Sequence, residues 1–314
     1  MGAAIGNEPG FASRPVKRLW LATRPMFFPA SVLPVIVGTG WGAGAAGGLD
    51  GAAFALALAA TICVHAAVNV INDVYDDISG TDPVNTGRIH PFTGGSRFIQ
   101  NGIMDRRAMA RFGLALLAAA TLVGIVLAVL KGPVVIALGL FGAALGIAYS
   151  ATPFQLSARG LGEIAVGLGF GVLPVMGASW LQSGSFGPDA LLLSLPLGCW
   201  VFNILLVNEI PDIEADAAAG KRTLPVRRGV DGTWPLYLAA NALAWIAVAA
   251  AAAIGLLPVA VLALPTLLVV GAVYVARMLA RGTPTRSTLA TAIKATLACH
   301  GVGGVWLAVF VWTS

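Results

Sequence analysis

Apolar residues fall along this chain in long unbroken blocks, neither alternating as in strands nor striped as on a surface helix. Runs of about 20 apolar residues, enough for a helix to cross the hydrocarbon core of a bilayer, occupy 26–45, 51–71, 112–130, 133–152, 161–182, 189–208, 234–254, 257–279 and 293–313. The pattern predicts an all-α, polytopic membrane bundle of about nine transmembrane helices. Gly255 and Pro258 are the only break between the seventh and eighth runs. Pro25, Pro29 and Pro34 crowd the first, which a membrane helix tolerates because its neighbours can re-satisfy the freed backbone groups.

Composition agrees: 58% of the chain is apolar and 11% charged, the balance of an integral membrane protein. Residues 1–18 are small, polar and Gly/Ala-rich, with no apolar stretch of signal-peptide length. They are expected to form a mobile cytoplasmic tail ahead of a single transmembrane domain at 19–314. Of the 19 Lys and Arg residues, every one but Lys131 falls on the side of the tail. An excess of basic residues in short loops marks the cytoplasmic face, so the N-terminus is expected inside and the C-terminus outside. The basic residues are scattered over several loops and form no stripe, which argues against nucleic acid as a partner. Cys63, Cys199 and Cys299 all lie within apolar runs and form no C-x-x-C pair, so neither a zinc site nor a disulfide is expected.

Against this apolar background the carboxylates stand out. Eight of the fourteen acidic residues sit in two short stretches. The first, Asn69 to Asp82, reads N-V-I-N-D-V-Y-D-D-I-S-G-T-D and follows the second run. The second, Asn208 to Asp216, reads N-E-I-P-D-I-E-A-D and follows the sixth. Asp73, Asp76 and Asp77 are spaced i, i+3, i+4 and share one side of a helix; Gly80 ends that helix and Asp82 approaches through a turn. Asp212 and Asp216 repeat the i, i+4 spacing, with Pro211 marking a broken or restarted helix. Like charges gathered on one face repel unless a cation compensates them. Hard oxygen donors in this number suit Mg²⁺, which takes one or two carboxylates and fills its shell with water and phosphate oxygens. The alternative reading of either stretch is a solvated helix end.

The surrounding residues favour a metal–diphosphate. Lys221 and Arg222 follow the second cluster within one Gly-containing turn, and Arg97 lies in the loop T-G-G-S-R beside the first. Carboxylates would hold the ions while these cations meet the remaining phosphate oxygens. Each of the three also fits a plain positive-inside role. Asn72, Asn208 and Tyr149, at cytoplasmic span ends, are further candidates for diphosphate oxygens, although Tyr149 fits equally as an interfacial anchor. Asn72-Asp73-x-x-Asp76 aligns with Asn208-Glu209-x-x-Asp212 four spans later, which suggests two similar four-helix halves plus one helix. Glu163 divides evenly between helix capping and substrate orientation. His65 and His300, inside apolar runs, read as satisfied interior residues.

N-D-V-Y-D-D-I-S-G-T-D and D-I-E-A-D-A-A-A-G-K-R-T-L-P-V-R-R-G resemble the two aspartate-rich signatures of the UbiA superfamily of intramembrane prenyltransferases. Three details resemble its menaquinone branch, 1,4-dihydroxy-2-naphthoate polyprenyltransferase: the Asp76-to-Asp82 spacing, G-K-R-T-L-P-V-R-R-G at 220–229, and Y-S-A-T-P at 149–153 running into R-G-L-G-E at 159–163. The 4-hydroxybenzoate branch would show a shorter aspartate spacing and a Y-P-x-x-K-R element. The resemblance implies Mg²⁺-dependent transfer of a polyprenyl group from an allylic diphosphate to an aromatic acceptor, with loss of the ring carboxylate. It implies Asp73, Asp76, Asp212 and Asp216 as catalytic metal ligands, Asp82 as a further ligand, and two Mg²⁺ ions. Other expectations within the residues themselves are a different acceptor ring, a lipid alcohol, or a cation-coupled transporter. Transporters place such groups near the bilayer midplane, whereas these lie at span ends.

Overall fold

The computed structural model describes residues 14–80 and 85–313. Among these it is all-helical: α1 (Pro15–Ala22), α2 (Pro29–Ala46), α3 (Gly51–Ser79), α4 (Arg106–Lys131), α5 (Val134–Ser150), α6 (Gly162–Val166), α7 (Leu173–Ser183), α8 (Pro188–Asn208), α9 (Ile213–Ala218), α10 (Leu224–Ala253), α11 (Ala263–Leu279) and α12 (Arg286–Thr313). One π-helical segment, Gly167–Val172, joins α6 to α7. Among the described residues, eight stretches are long and apolar enough to cross a membrane. Val134–Ser150, where a ninth crossing was expected, is apolar but only 17 residues long. The chain is an integral membrane protein.

Boundaries differ from the sequence pattern where polar residues continue a helix beyond its apolar run. Helix α3 extends to Ser79 and carries the first acidic motif on its last two turns, stopped by Gly80 in the left-handed conformation (φ 81°). Helix α10 starts at Leu224, ten residues ahead of the expected span, and bends at Gly229 (φ 64°). Helix α1 begins inside the stretch read as a tail; residues 1–13 lie outside the described part.

Small residues let the helices close. A Cβ on Gly38 would meet the Val175 carbonyl oxygen at 2.2 Å, and one on Gly42 the Ser179 carbonyl oxygen at 2.3 Å. The Gly38-x-x-x-Gly42 spacing puts both on one stripe of α2, and α7 lies directly on that stripe. Helix α3 runs along α4, α8 along α10, and α12 closes the bundle against α2 and α8. A buried core of Val37, Val175, Leu197, Trp200, Val248 and Leu307 fills the space between α2, α7, α8, α10 and α12. Leu122, Val129, Leu140 and Phe141 on α4 and α5 point outward, apolar surface that suits lipid rather than water.

At the end of the bundle away from the acidic motifs, Asp50 caps α3 by accepting from the Ala53 N–H at 2.9 Å. It pairs with Lys131 at 2.8 Å, while its own N–H donates to Gln182 at 2.8 Å. The one basic residue expected on that face is thus tied to the tip of the α2–α3 turn.

Candidate functional site

Helices α3 and α8 deliver the two acidic motifs to the same end of the bundle. The chain past α8 does not run straight: a 3-10 turn at Ile210–Asp212 and the short α9 swing Asp212 and Asp216 inward. Pro211 requires this break, because a proline there cannot donate the hydrogen bond a continuing helix needs.

Lys221 joins the motifs. Its Nζ lies 2.7 Å from Asp76 Oδ1 and 3.5 Å from Asp216 Oδ1. Its own N–H also donates to the Asp216 carbonyl at 2.8 Å, closing the turn through Gly220. Burial alone would lower the Lys221 pKa; Asp76 and Asp216 outweigh it and hold the ammonium above the ordinary lysine range. It stays a cation at any physiological pH.

The loop after α3 supplies the second connection. Ser96 donates to Asp73 Oδ2 through both its N–H, at 3.0 Å, and its hydroxyl. Thr93, three residues earlier, donates its hydroxyl to Asp212 Oδ1 at 3.2 Å, and Asn85 donates to the same oxygen at 2.8 Å. One loop therefore holds a carboxylate from each motif. It turns tightly enough through Gly94 and Gly95, both with positive φ, where a side chain would be strained. Arg97, at φ 63°, takes the same left-handed conformation without being glycine.

Of the expected residues, Asp73, Asp76, Asp212, Asp216, Lys221 and Arg97 gather here. Asn72 donates to Asp76 Oδ2 at 2.7 Å, so it orients that carboxylate. Asn208 is placed with its Oδ1 buried and without a donor among the described residues. Tyr149 packs on Gly162 and lies within the fields of Glu209, Asp76, Glu163 and Asp216. Arg222 is exposed, and its side chain makes no hydrogen bond or ion pair among the described residues; its backbone N–H donates to the Ala158 carbonyl at 2.8 Å. Asp82 lies outside the described residues. Asp77, expected on the same face as Asp73 and Asp76, turns away to Arg106 at 2.6 Å and Gln100 at 3.0 Å. One residue of helix rotates it about 100° from Asp76, toward the start of α4. Glu163 Oε1 accepts from the Leu224 N–H at 3.0 Å, fixing the start of α10 rather than capping its own helix.

Sequence reasoning passed over Arg24, counted only as a basic residue ahead of the first span. In the structure it adopts φ 55°, donates to the Phe92 carbonyl at 3.2 Å and stacks 4.9 Å over the Phe27 ring. Its charge acts on both Asp73 and Asp212. Its position immediately before Pro25 predicts an extended backbone, not the left-handed one observed, so no sequence signal marked it.

The fit to a divalent cation can be judged from the oxygens. Asp73 Oδ1 is buried and has no donor among the described residues, and such an orphaned acceptor is costly unless a cation satisfies it. Among the described residues, no three carboxylate, His or Cys side chains form a ready-made metal cage. That combination suits Mg²⁺, which binds through one or two carboxylates and leaves the rest of its shell to water and substrate oxygens.

A family model described as the UbiA prenyltransferase family matches residues 31–299. The 1,4-dihydroxy-2-naphthoate octaprenyltransferase of Mycobacterium tuberculosis is 32% identical over 222 residues, covering 69% of this chain and 72% of that one. The 2-carboxy-1,4-naphthoquinone phytyltransferase of Synechocystis is 30% identical, covering 68% and 67%. The solved structure of a UbiA homolog from Archaeoglobus fulgidus bound to DMAPP and Mg²⁺ shares the fold at a TM-score of 0.63 and 17% identity, covering 93% of this chain and 99% of that one.

Proposed function

This chain belongs to the UbiA prenyltransferase family, and we propose that it transfers a polyprenyl group from an allylic diphosphate to 1,4-dihydroxy-2-naphthoate, with loss of the ring carboxylate, on the route to a menaquinone-type lipid quinone. The observation that carries the site reading is the meeting of Asp76 and Asp216 on one ammonium, with Asp73 and Asp212 held by one loop. Two carboxylates from each motif are thereby brought together at one end of the bundle. Support for the acceptor comes from the naphthalene rings named for both relatives.

In this reading Asp73, Asp76, Asp212 and Asp216 would hold two Mg²⁺ ions, with Asp82 as a further ligand. Bound Mg²⁺ supplies Lewis-acid neutralisation of the diphosphate charge. Lys221 and Arg97 would donate to phosphate oxygens that the metal leaves open, with Arg222, Asn208 and Tyr149 as further donors. Departure of the diphosphate leaves an allylic cation, and the surrounding apolar helices exclude the water that would otherwise capture it. An open apolar groove between α2 and α12, bordered by Phe28, Val32, Leu33, Val302, Val305 and Trp306, is the course this reading gives the prenyl tail. The positive-inside distribution of Lys and Arg supports a cytoplasmic site.

The test is the product. Purified protein in lipid, given geranylgeranyl diphosphate, Mg²⁺ and a panel of aromatic acids, is expected to convert the dihydroxynaphthoate alone, to a product lighter than the simple adduct by CO₂. Conversion of a different ring, or a product that keeps its carboxyl group, would replace this acceptor with another.

A further inference from the structure

Eight residues before Asp73 on α3, about two turns or 12 Å deeper into the bundle, stands His65. Residues 65, 69, 72, 73 and 76 lie on one side of that helix, so His65 continues the polar stripe that ends in the first acidic motif. It is 5% exposed, and its ring is held on two sides by Phe28, at 5.4 Å between centroids, and Phe170, at 4.7 Å. Phe170 belongs to the π-helical segment, an irregularity that recurs at functional sites.

The hydrogen bonds fix which ring nitrogen is free. Ser31 Oγ lies 2.7 Å from His65 Nδ1 and 3.2 Å from the Phe28 carbonyl oxygen. A hydroxyl has one proton. Both contacts are satisfied together only if Ser31 donates to the carbonyl and His65 Nδ1–H donates to Ser31. Nε2 is then the unprotonated nitrogen, and it makes no hydrogen bond among the described residues. The charged group acting on the ring from the packed elements is Arg24.

We propose that His65 Nε2 receives the ring-hydroxyl proton of the aromatic acceptor. This role rests on the acceptor reading given above. The allylic C–O bond breaks with its electron pair leaving on the diphosphate. A ring carbon supplies the pair for the new C–C bond, the hydroxyl oxygen becomes a ring ketone, and its proton passes to Nε2. Loss of the carboxylate as CO₂ returns a pair to the ring, restores aromaticity and takes the proton back from His65 to the oxygen. The base is regenerated and no further reactant is needed. His65 and Asp73 are thus about 12 Å apart along one side of α3, with the acceptor between the base and the diphosphate in this reading. The Phe28 and Phe170 rings flank the base with surfaces that also stabilise a cation.

The experiment compares wild type, His65→Gln and Ser31→Ala in lipid, with geranylgeranyl diphosphate and either dihydroxynaphthoate or its dimethyl ether. With dihydroxynaphthoate, His65→Gln is expected to lower kcat by about 10²-fold or more, the range for a positioned general base. Ser31→Ala, which frees the tautomer, should fall between it and wild type. The KM for the diphosphate and Mg²⁺-dependent binding of a thiolodiphosphate analogue should not change, which shows the site still folded. With the dimethyl ether, which has no proton to give, wild type and His65→Gln should be equally slow. Full turnover by His65→Gln, an equal loss on both acceptors, or loss of analogue binding each overturns the role. Failure of wild type to use dihydroxynaphthoate at all removes the acceptor reading first and this role with it.

Discussion

Lys221 and Asp76, 145 residues apart in sequence, meet at 2.7 Å between Nζ and Oδ1. The contact links the turn after α9 to the end of α3, and both side chains are about four-fifths buried. An ion pair this far from water is worth more than an exposed one, and removing one partner leaves the other charge uncompensated. Lys221→Gln is therefore expected to destabilise the metal-free protein by about 2 kcal/mol, between the values for exposed and buried pairs. Thermal melting in detergent checks this. Added Mg²⁺ should recover more stability in the variant than in wild type, because it can replace the missing positive charge between Asp76 and Asp216. An unchanged melting temperature would mean the pair contributes nothing to joining the motifs.

Arg97 separates stability from activity. A left-handed conformation costs a non-glycine residue about 1 kcal/mol, so Arg97→Gly relieves strain while deleting a guanidinium from the loop that holds Asp73 through Ser96. The expected outcome is a melting temperature equal to or above wild type with at least a tenfold fall in kcat/KM for the allylic diphosphate. Retained activity would make Arg97 a loop residue only.

The approach of α2 to α7 predicts a sharp contrast between two glycines of the same helix. Gly38→Val would drive a side chain into the Val175 carbonyl, costing several kcal/mol, and should abolish the folded protein. Gly44→Ala meets nothing within 4 Å and should be silent or slightly stabilising, since alanine is the better helix former. Expression and melting of the two variants test the packing directly.

Much of this was legible in the chain because the physics is strong and local. Twenty apolar residues in a row have few alternatives to a membrane helix, and Asp73, Asp76, Asp212 and Asp216 stood out because carboxylates are scarce elsewhere. Pro211 correctly marked the broken helix, and Gly80 the end of α3. What escaped depends on long-range geometry. Within the loop 85–97 the sequence points to Arg97 alone, yet Asn85, Thr93 and Ser96 hold carboxylates from both motifs. Arg24 was indistinguishable in sequence from the other basic residues of its face. Asp77 shares its neighbours' spacing but is claimed by Arg106, a partner no local pattern reveals. The short α5 shows the reverse limit: an apolar run says where a helix lies more readily than how far it reaches.

Removal of divalent metal should abolish turnover, and restoring Mg²⁺ should recover it, since Lys221, Arg97 and Arg24 alone do not match the charge of a departing diphosphate. Chelation followed by titration with Mg²⁺ reads this out. Turnover that survives chelation would mean the carboxylates serve the loop and not the substrate.

The most direct test of the central claim is Mg²⁺-dependent binding of geranylgeranyl thiolodiphosphate, measured by calorimetry on wild type, Asp76→Asn and Asp216→Asn. If one diphosphate is gripped from both motifs, each substitution alone weakens binding at least tenfold, and the pair together costs less than the sum. Wild-type affinity in either variant would contradict the account.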